Sequence, residues 1–456
     1  MLVPIEFASR TKLFARFEHF RAVYTEEVGR SICITWDIWN MIITSIIIYK
    51  LCARRMRSVC IFIASFVLFT SIAILLEKEP VPKGDMGLSM HQFCQKYGYP
   101  IDEEIVTTED GYILTMHRIK CSFNRTGCHE KRPAMLLLHG LLASSADFVS
   151  ARNQSLAFQL VDKGYDVWLG NNRGNTYSRN HIMLDPNEDK SFWNFSFHET
   201  VMYDLPAMID HIIQKSQVSK VTFICISSQG CTSYMVLSSL KPEYNKKILF
   251  ANLVAPVTTF YPTKSIVLKI LTFFNFIVKR FLYFYGHFEL FGEQQIETKL
   301  FRYLCIGPHK VANYICLEQI LTYAGGFSDQ RNYDLFPFHL SVSPAGASTK
   351  QVMHIIQNRI SGQFAQYDHS DQNPQKLTAP IYNVSRITTP VAVYFGKSDI
   401  FVSVEGLHEQ LKSIPNVVLR YKVPYERFNH MDFIYAKDLN RLVNNKIMET
   451  IDIYNN

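Results

Sequence analysis

The 456-residue chain carries little charge for its size, 19% Asp, Glu, Lys and Arg against 48% apolar residues. That balance excludes a disordered chain. No dense Lys/Arg stripe with interleaved aromatics is present, and the net charge of +7 is spread along the sequence, so nucleic acid is not an expected partner. No cysteines and histidines stand at the spacing of a zinc site, and neither a metal nor a cofactor is expected. Internal repeats and low-complexity tracts are also lacking. Aromatic residues, by contrast, are abundant, with 33 Phe and 24 Tyr, which suits a core or cleft with large apolar surfaces. The length admits two or three average domains, or one large α/β domain with insertions.

The N-terminus differs from the rest. Two apolar runs, 38–51 and 59–76, flank the basic segment CARRMRS at 52–58. Read from Met56, a short basic region precedes an apolar core with small residues at Ser71 and Ala73, the pattern of a secretory signal. The competing reading is a membrane anchor through 58–76, with Arg54, Arg55 and Arg57 cytoplasmic. The expected location is therefore secreted, or the lumen of lysosome or endomembranes, with membrane anchoring as the alternative. Secretion agrees with N-x-S/T sequons at Asn124, Asn153, Asn194 and Asn383. Beyond residue 77 there are seven cysteines. Cys121 with Cys128, and Cys305 with Cys316, are close enough to staple local loops. Cys225 and Cys231 read as buried thiols rather than a bridge.

Strand and helix signals alternate from residue 103 onward. EEIVTTEDGYILTMHRIK (103–120) predicts a hairpin around Glu109-Asp110-Gly111. RPAMLLLHG (132–140) predicts a buried central strand closed by a loop. DLPAMIDHIIQKS (204–216) predicts a helix with Asp204 as N-cap and Pro206 in its first turn. Such alternation implies a mostly parallel sheet covered on both faces. After ANLVAPVTTF (251–260) it fails, and no regular strand is expected before PVAVYFGKSD (390–399). An aromatic, helical insertion there, with LTFFNFIVKRFLYFYG (271–286) in it, is where a cap or lid would sit over a cleft. The expected division is 1–55 as an upstream extension or cytoplasmic segment, and 56–77 as signal or anchor. The core then spans 78–260 and 386–456, with the helical cap at 261–385 between its two parts.

Catalysis by a serine hydroxyl needs a base, an acid that orients the base, and N–H donors for the developing oxyanion. On a sheet of this kind they come in the order Ser…Asp/Glu…His at strand ends. ICISSQG (224–230) follows the pattern of a nucleophile elbow, whose frame around Ser-Gln-Gly selects Ser228. Asp399 follows a strand in GKSD, and His430 lies in the loop after VVLRYKVP. The natural oxyanion donors are the backbone N–H groups of Leu141, after His139-Gly140, and of Gln229. Each of these residues taken alone reads more simply as a turn or loop residue; it is the combination that points to acyl transfer.

The combination resembles the acid lipase family of gastric and lysosomal lipases and their invertebrate relatives. The matching stretches include YGYPIDEEIVTTEDGYILTMHRI, LLLHGLLASSADFV, SLAFQLVDKGYDVWLGNNRGNTYSRNH, SGQFAQYD, GKSDIFV and FNHMDFIYAKD, and they span roughly 86–450. The resemblance implies an α/β-hydrolase fold with a helical cap, a catalytic set of Ser228, Asp399 and His430, and oxyanion donors Leu141 and Gln229. It further implies a cap disulfide between Cys305 and Cys316, and hydrolysis of triacylglycerols or cholesteryl esters at a lipid interface through an acyl-enzyme, without a metal. One departure stands out. The family reads Gly-His-Ser-Gln-Gly at the elbow, and this chain reads Ile226-Ser227-Ser228-Gln229-Gly230. A β-branched residue at the glycine position raises the alternative of a catalytically weak, lipid-binding protein.

Overall fold

A computed structural model describes residues 84–123, 131–257, 263–306, 313, 316–318, 322, 325–369 and 379–455. The expected extension and signal or anchor segments, with Asn124 and Cys128, lie outside the described residues. The chain divides into two units, 1–81 with 308–315 and 82–307 with 316–456. All that follows concerns the second.

Its strands are β1 (Asp102–Thr107), β2 (Tyr112–Ile119), β3 (Ala134–Leu138), β4 (Asp166–Gly170), β5 (Asn180–His181), β6 (Val221–Ile226), β7 (Ile248–Val254), β8 (Glu289–Leu290), β9 (Ala347–Ser348), β10 (Val391–Phe395) and β11 (Val417–Lys422). Its main helices are α1 (Met90–Lys96), α2 (Leu156–Lys163), α3 (Leu205–Ser216), α4 (Ser227–Leu240), α5 (Ile266–Phe273), α6 (Asn275–Phe284), α7 (Ile296–Ile306), α8 (Phe336–Val342), α9 (Thr349–Ser361), α10 (Val404–Lys412) and α11 (Asn445–Asn455). Nine strands form one sheet in the order β1-β2-β4-β3-β6-β7-β10-β11, with β5 beside β2. The β1–β2 hairpin and the β2–β4 pair are antiparallel, and every pair from β4 to β11 is parallel.

Sequence explains the order. AMLLL, VTFICI and VAVYF are buried at every position, as strands covered on both faces must be. β11 alternates half-buried and exposed residues, the mark of an edge. Side chains alternate across the sheet, so Leu136, Trp168, Phe223 and Val393 join one core with α3 and α4. Met135, Leu137, Ile224 and Tyr394 join another with α2 and α11. The α/β-hydrolase architecture expected from sequence is therefore present, and α5 to α9 occupy the expected insertion.

Two local expectations are corrected. The insertion contains a short antiparallel ladder, β8 with β9, too brief for a periodicity to announce it. Asp204 does not cap α3. Its carboxylate accepts from the backbone N–H and the guanidinium of Arg173 at 2.9 and 2.7 Å, because a fully buried Arg173 needs that partner more than the helix needs a cap. Arg173 also forks onto Asp110 and lies 3.8 Å from the Tyr112 ring centroid, which ties the Gly170–Asn175 loop to the β1–β2 turn.

Candidate active site

The parallel strands end together at one edge of the sheet, and the site is assembled there. β6 runs into α4 with a turn whose pivot is Ser227, at φ 64°. A serine in this left-handed region is strained, and the strain points its hydroxyl up from the sheet. Ile226 just before it is ordinary extended backbone, φ −121° and ψ 139°. It needs no glycine, and its side chain packs below among Val254, Phe433 and Ile434.

His430 Nε2 lies 2.7 Å from Ser227 Oγ. The other ring nitrogen, Nδ1, lies 2.7 Å from Asp399 Oδ2. A carboxylate can only accept, so Nδ1 donates to Asp399 and Nε2 is left to accept from the serine hydroxyl. Asp399 is buried and held by the backbone: its Oδ1 accepts from the N–H groups of Phe401 at 2.8 Å and Val402 at 3.0 Å. Phe401 meets the imidazole edge-on at 5.1 Å. The loop of His430 is clasped on its far side. Asp432 accepts from the Asn429 N–H at 2.8 Å and from the Ser328 hydroxyl at 2.6 Å, and Asn429 Nδ2 donates to the Gly326 carbonyl at 2.6 Å. Burial raises the Asp432 carboxyl to about 6.

The sequence frame is thus off by one residue. Asp399 and His430 come together as expected, but the structure places Ser227, not Ser228, against the imidazole. Ser228 begins the first turn of α4 and lines a cleft with Leu141, Gln229 and Thr232, walled by Gln351 and Ile355 of α9. Gly230 drew the frame towards Ser228, yet it serves another contact. A Cβ on Gly230 would stand 2.5 Å from the Leu138 carbonyl, so it lets α4 press against the end of β3. The usable signal was strand length: six buried residues, Val221 to Ile226, end one position before Ser227.

At the two positions flanking Ser227 where an elbow usually has glycine stand Cys225 and Gln229. Cys225 is joined to Cys231 of α4, which corrects the reading of both as thiols. The bridge straddles the turn, tying the last strand residues to the second turn of the helix. Six residues separate the two cysteines in sequence, and only the sharp strand-to-helix reversal brings their Cα atoms to 5.1 Å. Cys305 and Cys316 are bonded as expected, and Cys121 is disulfide-bonded too.

Opposite the turn runs the loop after β3. A Cβ on Gly140 would stand 2.9 Å from the Ser227 Cβ, so the loop and the serine sit in contact. His139 shapes this loop. Its Nε2 accepts from the Asn172 N–H at 3.2 Å, so Nδ1 donates to the Gly140 carbonyl at 2.7 Å. Complete burial pushes its pKa down to about 4 and keeps it neutral. Among the described residues no three His, Cys, Asp or Glu side chains cluster as a metal would need. Asn153, Asn194 and Asn383 are all exposed. No helix among the described residues is long and apolar enough to cross a membrane.

Comparison with known proteins places the chain in a family. Residues 90–152 match the model of a partial α/β-hydrolase lipase region, and residues 133–286 match that of the α/β hydrolase fold. Lipase 1 of Drosophila melanogaster is 39% identical over 376 residues, 81% of each chain. Human lipase member K is 36% identical over 366 residues, 78% of this chain and 88% of the relative. Human gastric triacylglycerol lipase is 35% identical over 381 residues, 80% and 92% of the two chains. With the α/β-hydrolase sheet, a helical cap and this identity over four-fifths of its length, the chain belongs to the acid lipase family and is a lipase or carboxylic ester hydrolase.

Proposed function

We propose that the chain hydrolyses neutral lipid esters, triacylglycerol or cholesteryl ester, through an acyl-enzyme on Ser227. His430 takes the hydroxyl proton as Ser227 Oγ attacks the ester carbonyl, and Asp399 holds the imidazole in the accepting tautomer and stabilises the imidazolium. The protonated His430 then gives that proton to the departing alcohol. Water, deprotonated by the same imidazole, cleaves the acyl-serine to free the fatty acid and restore the serine. The backbone N–H of the residue after the nucleophile is the first oxyanion donor, and with Ser227 in that role it belongs to Ser228 rather than Gln229. Leu141, across the cleft, supplies the second. The observation that carries this reading is the relay of two 2.7 Å contacts, Ser227 to His430 and His430 to Asp399, drawn from the ends of three strands.

The alternative, a catalytically weak or inactive lipid-binding protein, rested on Ile226-Ser227 standing in place of Gly-His. With the pivot at Ser227, Ile226 occupies extended backbone that any residue adopts, which supports the hydrolytic reading over this one. The cap helices fit a lipid substrate. Phe273, Phe276, Phe281 and Phe284 are 57–82% exposed, a face that suits contact with a lipid interface. The four sequons and three disulfide-bonded sites favour a secreted or lumenal protein.

The test separates the two adjacent serines. Ser227→Ala should lower turnover of a soluble nitrophenyl ester by roughly 10⁴-fold or more and abolish labelling by a fluorophosphonate. Ser228→Ala keeps its backbone N–H and should stay within about tenfold of the parent. A label mapped to Ser228, or surviving in Ser227→Ala, overturns the assignment.

A further inference from the structure

The exposed cap face has a charge pattern that an uncharged lipid surface does not call for. From Thr263 to Phe288 there is no Asp or Glu, while Lys264, Lys269, Lys279 and Arg280 fall within the same stretch. At about 100° per residue, the exposed positions of α6, namely Phe276, Ile277, Arg280, Phe281, Tyr283 and Phe284, share an arc of about 160°, with Arg280 inside it. On α5 the exposed Ile266, Val267, Lys269, Ile270 and Phe273 share an arc of about 160°, and Lys269 lies at its border. Neither helix has a buried residue, and both lie against α9, the helix that walls the cleft beside Ser228. The Arg280 guanidinium is 5.3 Å from the Phe276 ring centroid, so cation and aromatic ring are presented together. A cation set among outward aromatics is poorly placed against pure hydrocarbon. It is well placed where rings enter the acyl region and the charged heads remain at the level of the headgroups.

From this pattern we infer that the outer face of α5 and α6 docks on a phospholipid surface bearing anionic headgroups, with Lys269 and Arg280 meeting the headgroup charge. The inference rests on the reading of the chain as a lipase and adds the kind of surface on which it meets its substrate. Docking there brings the lipid surface to helices that pack on α9, whose Gln351 and Ile355 line the cleft. The complementary charge makes attachment sensitive to ionic strength, which a purely apolar contact is not.

The test uses the full chain carrying Ser227→Ala, so that binding is scored without hydrolysis, and co-sedimentation with vesicles of phosphatidylcholine alone or with about one-third phosphatidylserine. The expected result is at least tenfold tighter binding to the phosphatidylserine vesicles, lost in about 0.5 M salt and lost again on adding Lys269→Glu with Arg280→Glu. Thermal melting of the charge-reversed chain, equal to that of its parent, shows that the loss is not misfolding. Equal binding to both vesicles overturns the inference, as does binding to neither. In either case the ester assay on the Ser227 chain stands independently, so the hydrolytic reading fails or survives on its own result. A lipid-free dimer that Phe276→Ser with Phe284→Ser converts to monomer also overturns it, since a second copy would then cover the face.

Discussion

Strain in the turn between β6 and α4 falls on a single residue. Ser227 sits at φ 64° because β6 must reverse into α4 within one residue, Gly140 lets the loop after β3 touch it, and Gly230 lets α4 press on the end of β3. Gly230→Ala would bring its new methyl group to 2.5 Å of the Leu138 carbonyl, a backbone atom that cannot swing aside. Destabilisation of about 1–3 kcal/mol is expected, and thermal melting measures it, with ester turnover falling in step as α4 backs away from β3. At this scale sequence reading succeeded unevenly. Asp399 and His430 were legible because each is the only residue of its kind in a short loop after an unmistakable strand. The serine was not, because two serines stand side by side and the glycine that fits the pattern answers to Leu138. A pattern of residue types does not say which neighbour each glycine is making room for.

Among the elements, the junction of β6 and α4 depends on a covalent tie. Cys225 takes a position where an elbow usually has glycine, and its bond to Cys231 spans the turn. Closing so short a loop stabilises by about 2 kcal/mol in the chain-entropy description. The double change Cys225→Ala with Cys231→Ala should therefore lower the melting temperature. It should also lower kcat on a soluble ester more than it raises KM, since the serine is displaced while the cleft remains. Peptide mapping without reductant checks the pairing itself. The bridge was not legible because cysteines six apart on a continuous strand or helix point elsewhere; only the reversal between them makes the pair. The alternating signals of strand and helix, by contrast, gave nearly the whole sheet, since buried parallel strands are written as unbroken apolar runs. The two-residue strands β8 and β9 are too short for any periodicity and exist through tertiary pairing alone.

For the whole molecule, buried titratable groups set the response to acid. Burial pushes His117 and His139 down to about 4 and His339 and His354 to about 3, and raises Asp147 to about 7 and Asp432 to about 6. The imidazoles contribute stability above their unfolded value near 6.5 that is lost as pH falls towards 4. The two carboxylates act in the opposite sense, favouring the fold increasingly as pH drops from 7 towards 3.8. Four imidazoles against two carboxylates leave the unfolded chain taking up about two protons more in that window, so the melting temperature should decline between pH 6.5 and 4. His117→Gln removes one imidazole from the balance. Its melting temperature should change less over the same range, and parallel melts of the two proteins check this.

The insertion of the cap between β7 and β10 also sets a timetable. Val391 pairs with Ala251 across 140 residues, and the imidazole at 430 comes later still. A ribosome delivering this polypeptide has already released the serine-bearing hairpin of strand and helix while the orienting acid and the base are unsynthesised. Lipolytic power is therefore withheld until the segment bearing His430 has emerged, and membranes close to the exit tunnel are spared a half-made enzyme.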